Sequence, residues 1–132
     1  MNRMTPLRAT LAVLALVPLI AAAATPQEQL AAYVQSAGGR PDAAAGQAFF
    51  TAKHGRDWSC ATCHAPTPTV SGKHATTSKA IAPLAPGADA ARFTDPAKTE
   101  KWFRRNCNDV VGRECTTAEK ANVLAWLISL KP

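Results

Sequence analysis

The sequence predicts an all-α domain of four or five short helices, and three observations carry that expectation. Helix-capping residues recur at Thr25, Asp42, Asp95 and Thr116, each just ahead of a stretch with apolar residues at helical spacing. Prolines and glycines break the middle of the chain, from Ala65 to Phe93, and forbid long helices or central strands there. No internal repeat is found, and no strand–helix–strand pattern surrounds the cysteines.

The first 24 of 132 residues read as an address. Arg3 and Arg8 form a basic start, Leu11 to Ile20 an apolar run, and Ala22-Ala23-Ala24 a cleavage site before Thr25. The run is too short to span a bilayer comfortably and contains Pro18, so cleavage near Ala24 is expected rather than a membrane anchor. That divides the chain into a signal peptide, 1–24, and one mature domain, 25–132, sent to the periplasm and acting as a monomer. The formal charge of +6 falls to about +4 without the two leader arginines. No dense basic stripe is present, which argues against nucleic acid. Arg104, Arg105 and the scattered lysines read as a solvated surface or as a weak docking patch for an acidic redox partner.

The helices follow in order. Thr25 caps the first, Pro26 takes its first position and Glu28 completes a capping box. Leu30, Tyr33, Val34 and Ala37 then form one apolar stripe, which Gly38-Gly39 stops. Asp42 caps a second helix to about Lys53, with Gly46, Phe49 and Phe50 on one side. The glycine allows a close backbone approach, and Phe50 serves either ordinary packing or a large flat ligand. In the broken stretch Ile81 and Leu84 stand as isolated apolar anchors, in a loop that needs something to wrap. Asp95-Pro96 starts a third long helix that carries Trp102 and Phe103 and is expected to end near Asn106 or Cys107. Thr116 and Glu119 form another capping box and launch the last helix, whose apolar face is wide: Val123, Leu124, Trp126, Leu127, Ile128 and Leu130.

Cys60-Ala61-Thr62-Cys63-His64 is the C-x-x-C-H attachment site of a c-type haem. Each thiol can form a thioether with one porphyrin vinyl group, and His64 is then placed to coordinate the iron on the proximal face. A redox dithiol would want a thioredoxin-like setting. A zinc site would want a second close cysteine pair, but Cys107 and Cys115 stand eight apart. With Cys60 and Cys63 committed to one covalent haem c, Cys107 and Cys115 remain to bond each other in an oxidising compartment. Phe50, Ile81, Leu84, Trp102 and Phe103 are the expected pocket walls.

The second axial ligand is open at this point. Both methionines, Met1 and Met4, leave with the leader, so the usual electron-transfer ligand is missing. His54, His74, an asparagine or water remain. His54 lies only six residues before Cys60 and reads as surface; His74 sits in a polar, exposed part of the loop. Asn106 shares a helix face with residues 99, 102 and 103, and is either a C-terminal cap or an iron ligand. Asn108 would point about 160° away from it if the helix continued.

The segments Ala80-Ile81-Ala82-Pro83-Leu84-Ala85-Pro86, Arg92-Phe93-Thr94-Asp95, Glu100-Lys101-Trp102, Arg105-Asn106-Cys107-Asn108, Gly112-Arg113-Glu114-Cys115-Thr116 and Glu119-Lys120-Ala121 resemble the sphaeroides haem protein family. That family comprises oxygen-binding monohaem cytochromes c. The resemblance spans nearly all of the mature chain and is weakest from His64 to Ser78. It implies a class I cytochrome c fold, His64 as proximal ligand, Asn106 as distal ligand to ferric iron, and a Cys107–Cys115 disulfide. It also implies that a reduced haem binds O₂, NO or CO, with a dihaem cytochrome c or a membrane cytochrome b as electron donor. A carrier is favoured over an enzyme that reduces oxygen or oxidises NO, because the distal stretch offers no histidine. A plain bis-histidine electron carrier is the remaining alternative.

Overall fold

The computed structural model describes Met1 and residues 23–132. The leader, apart from its first and last residues, lies outside the described residues. Among the described residues five helices follow one another: α1 (Pro26–Ala37), α2 (Ala43–Thr51), α3 (Cys60–His64), α4 (Pro96–Val110) and α5 (Thr117–Ser129). All four expected caps form, each side chain accepting from the backbone N–H three residues on: Thr25 from Glu28, Asp42 from Ala45, Asp95 from Lys98 and Thr116 from Glu119. Gly38, at φ +71°, closes α1 in the left-handed conformation that favours glycine.

The core is built where α5 crosses α2. Phe50, Val123, Trp126 and Leu127 form its centre. Close contact depends on Gly46: a Cβ there would stand 2.0 Å from the Asn122 carbonyl oxygen. α1 packs against α5 less deeply. Leu30, Tyr33 and Val34 are half-buried, Ala37 is exposed, and the most buried residue of α1 is Gln29. Its amide donates to the Phe93 carbonyl at 2.6 Å, tying α1 to the chain just before α4.

Two expectations are corrected. α4 does not end near Asn106 or Cys107 but runs on to Val110. The extra turn buries Val110, and the chain reverses at Gly112, where φ is +81°. The long loop is also not wholly irregular. Gly72–Lys73 (β1) and Ala80–Ile81 (β2) pair antiparallel, Gly72 opposite Ile81. Gly72 presses this hairpin onto α3 so closely that a Cβ would lie 2.0 Å from the Cys63 carbonyl oxygen.

Candidate haem site

Residues of α2, α3, α4, α5 and the loop between α3 and α4 line one cavity of about 650 Å³. α3 contributes Cys60, Cys63 and His64 to one wall, and α4 contributes Trp102, Phe103 and Asn106 to another. Phe50, Ile81 and Leu84 fill in between, so every pocket residue read from the sequence lines this space.

The α3 wall is set by short-range geometry. Ser59 starts the helix, its N–H donating to Thr62 Oγ1 at 3.0 Å. Within the turn Cys60 and Cys63 fall on the same side as His64. Burial pushes the Cys60 thiol up to about 11, which keeps it protonated in the absence of a bond to sulfur. Burial, with Arg92 as a lesser cause, lowers His64 to about 4, so its imidazole is neutral at physiological pH. Neutral imidazole is the form that binds a metal. The His64 Nδ1 is enclosed without a hydrogen-bond partner, leaving Nε2 as the nitrogen for a ligand. Phe50 stands behind the imidazole, ring centroids 6.2 Å apart, and itself packs on Trp126 at 5.0 Å. Two thiols, a neutral imidazole and a largely apolar cavity fit a covalent haem.

On the α4 wall, the face holding residues 99, 102, 103 and 106 is indeed the one turned to the cavity. Because α4 continues to Val110, Asn106 is a mid-helix residue, and its reading as a helix cap falls. Asn108 is exposed and donates its Nδ2–H to the Arg104 carbonyl at 2.8 Å, away from the cavity. Arg105 lies over the Trp102 ring, 5.5 Å from its centroid, and lines the cavity beside Asn106. Cys107 is bonded to Cys115, with Cα atoms 5.6 Å apart, so the residue after Asn106 is tethered to the start of α5.

The two remaining histidines differ from expectation. His54 is half-buried and does not line the cavity: its ring packs on Phe49 with centroids 4.3 Å apart, and Nε2 lies 2.8 Å from the Phe49 carbonyl oxygen. His74 is half-buried and lines the cavity rather than standing exposed. Its Nδ1 accepts from the Thr76 and Thr77 N–H groups, at 3.3 and 3.1 Å. A neutral imidazole that accepts at Nδ1 carries its proton on Nε2. Neither nitrogen of His74 then has a lone pair free for iron while the 74–78 turn is intact.

Sequence reasoning missed several wall residues. Phe93 faces the cavity from a left-handed backbone, φ +57°, and stacks near Phe103 at 6.4 Å. A strained φ leaves no local mark in sequence. Trp58 also lines the cavity, and its place two residues before Cys60 could have signalled it. Val123 and Leu127 were legible only as a helix face, and one edge of that face reaches the cavity. Arg92 is pinned on the same lining by bonds to the Ala82 and Pro83 carbonyls, at 2.7 and 2.8 Å.

Known proteins resemble this chain in sequence and fold. Cytochrome c-type protein SHP of Cereibacter sphaeroides is 47% identical over 114 residues, covering 83% of this chain and 88% of that protein. The chain belongs to the sphaeroides haem protein family. It therefore carries one covalently bound haem c on a cytochrome c fold. The structure of oxidised SHP, described as an oxygen-binding cytochrome c, superposes with a TM-score of 0.76 at 46% identity, covering 80% of this chain and 97% of that one. The solution structure of Methylophilus methylotrophus cytochrome c'', described in terms of haem-ligand detachment, gives 0.72 at 34% identity, covering 81% and 94%. A family model described as a domain of unknown function, DUF1924, matches residues 36–127.

Proposed function

We propose that this chain is an exported monohaem cytochrome whose distal ligand is controlled by redox state. Asn106 would be a ligand to the haem in its ferric state only, and the reduced haem would be free to take O₂, NO or CO. The observation that carries the reading is the placement of Asn106 in mid-helix on the cavity wall, while Asn108 and His74 are engaged elsewhere. The haem supplies the redox couple and the coordination site for a diatomic gas. Cys60 and Cys63 would hold it through thioethers, and His64 would bind it through Nε2.

The Asn106 amide oxygen is a neutral, hard and weak donor, better suited to ferric than to softer ferrous iron. It would therefore hold the oxidised haem iron and give it up once the iron is reduced. The Cys107–Cys115 bridge limits how far the backbone follows. The oxygen-binding description of SHP and the ligand detachment described for cytochrome c'' support both halves of this reading. A second reading, turnover of bound oxygen or NO, draws support from Arg105, a hydrogen-bond donor on the cavity wall next to Asn106.

The same proposal places the mature protein in the periplasm, beginning near Thr25. Its electron donor is a dihaem cytochrome c or a membrane cytochrome b, docking by an acidic face on the rim formed by Lys79, Lys98 and Arg105. Spectra of the purified protein, oxidised and then reduced with and without CO, test the function. A high-spin ferrous form that binds CO at once is expected. A low-spin ferrous form inert to CO would make it a plain electron carrier.

A further inference from the structure

Tyr33 is the chain's single tyrosine. Its ring stands edge-on to Phe103, centroids 5.9 Å apart and planes at 90°, and Phe103 lines the haem cavity. The phenol donates its hydrogen to Glu100, which also accepts from Lys120 Nζ at 2.8 Å. Tyr33 further borders a surface cavity of about 180 Å³, together with Gln29, Ala32, Pro96 and Glu100. An aromatic contact toward the haem, a carboxylate on the hydroxyl and access to solvent are what a one-electron exit route requires.

We propose that Tyr33 is the terminal relay by which oxidising equivalents leave the haem site after reaction with hydrogen peroxide, Glu100 taking the phenolic proton. Peroxide is the oxidant, and two-electron reduction of O₂ is its source in an oxygen-binding haem protein. Each peroxide takes two electrons and two protons and becomes two waters. Each Tyr33 gives one electron by way of Phe103 and one proton to Glu100. One chain has one Tyr33, so its first phenoxyl takes a hydrogen atom from the Tyr33 of a second molecule. The second oxidising equivalent forms the phenoxyl again, and the two radicals join through ring carbons: two chains and one peroxide yield one cross-linked dimer and two waters.

Three tryptophans compete as electron donors, and the surroundings rank them below Tyr33. Trp58 and Trp102 line the cavity, and Trp126 packs on Phe50. No carboxylate accepts from their indole N–H groups among the described residues, so loss of an electron leaves a cation in place. Arg105 over Trp102 opposes that positive charge directly. Lys120, 5.8 Å from the Tyr33 centroid, opposes it too, but proton transfer to Glu100 makes the tyrosyl radical neutral and removes the penalty.

The proposal needs the covalent haem but not the identity of its distal ligand, so it stands or falls apart from the Asn106 reading. Its test treats the ferric holoprotein with equimolar hydrogen peroxide and a nitroso spin trap, then maps the adduct by peptide mass spectrometry. An adduct on Tyr33 is expected, and without the trap a dimer with dityrosine fluorescence. Tyr33→Phe should lose both while its haem spectrum stays that of the wild type. Glu100→Gln should lower the Tyr33 yield several-fold, and Glu100→Asp should recover part of it. An adduct confined to Trp58, Trp102 or Trp126, or an unchanged yield in Glu100→Gln, overturns the proposal.

Discussion

On the side of His64 the cavity rests on packed side chains and touching backbones; on the side of Asn106 it rests on polar links and a disulfide. α5 buries Ala121, Val123, Leu124, Trp126 and Leu127, and meets α2 where Gly46 lies against the Asn122 carbonyl. α4 is longer, at 15 residues, but buries only Thr99, Cys107 and Val110. What ties α4 down is Tyr33 and Lys120 on Glu100, the Gln29 bond to Phe93 just ahead of it, and the bridge to Cys115. Close-packed interiors resist displacement, whereas segments with few buried apolar contacts open first. The helix that carries the proposed releasable ligand is the one that can shift without unmaking the core.

The comparison can be broken from either side. Gly46→Ala should have the largest effect on stability, at the upper end of the cost of overpacking, about 3 kcal/mol, because the clash is with backbone. Ligand binding to the surviving folded protein should be unchanged, as thermal melts and CO titrations would show. A melt within error of the wild type would mean that the α2–α5 contact is looser than drawn.

Replacing Cys107 and Cys115 by alanine should cost about 2.5 kcal/mol on the chain-entropy estimate. Here the ligand rates should change as well, since the backbone beside Asn106 is freed, while haem stays attached. Unaltered CO kinetics in a destabilised variant would show that the bridge serves the fold alone. Peptide mapping without reductant should find the two cysteines bonded to each other.

Gln29→Ala should cost about 1–3 kcal/mol by leaving the Phe93 carbonyl without its donor. The loss should appear as faster amide exchange at the start of α4 before global unfolding, and uniform acceleration would contradict local loosening.

The smallest effect concerns Glu100. Burial favours its neutral form, but hydrogen bonds from Lys120 and Tyr33 prevail and hold its pKa below the usual 4.5. A depressed carboxyl contributes stability above its unfolded pKa and loses it as pH falls through the folded value. The wild type should therefore exceed Glu100→Gln by less than about 1 kcal/mol at pH 7. That margin should shrink below pH 4.5, as denaturant titrations at several pH values would show. A margin constant with pH would mean that the pair is held by packing.

What could be read from sequence was what is local. Thr25, Asp42, Asp95 and Thr116 each cap a helix because the capping bond spans three residues, and the Cys60–His64 motif is contiguous. The shared face of Thr99, Trp102, Phe103 and Asn106 needs only helical periodicity. The end of α4 is not legible because the burial of Val110 is a property of the fold and not of its sequence neighbours. The burial of Gln29 was invisible for the same reason: its partner, the Phe93 carbonyl, lies 64 residues on. His74 read as exposed since its polar neighbours suggest solvent. Only the folded turn reveals that Thr76 and Thr77 donate to its Nδ1, which fixes the tautomer and bears on the ligand question.

The ferric spectra of Asn106→Ala and His74→Ala, recorded side by side across pH, test the central claim most directly. Asn106→Ala should keep its haem through Cys60, Cys63 and His64, replace the amide by water or hydroxide, and gain a pH-dependent ferric spectrum that the wild type lacks. His74→Ala should match the wild type. If His74→Ala acquires the pH dependence and Asn106→Ala does not, the distal ligand is the histidine and redox-controlled release of an amide is wrong.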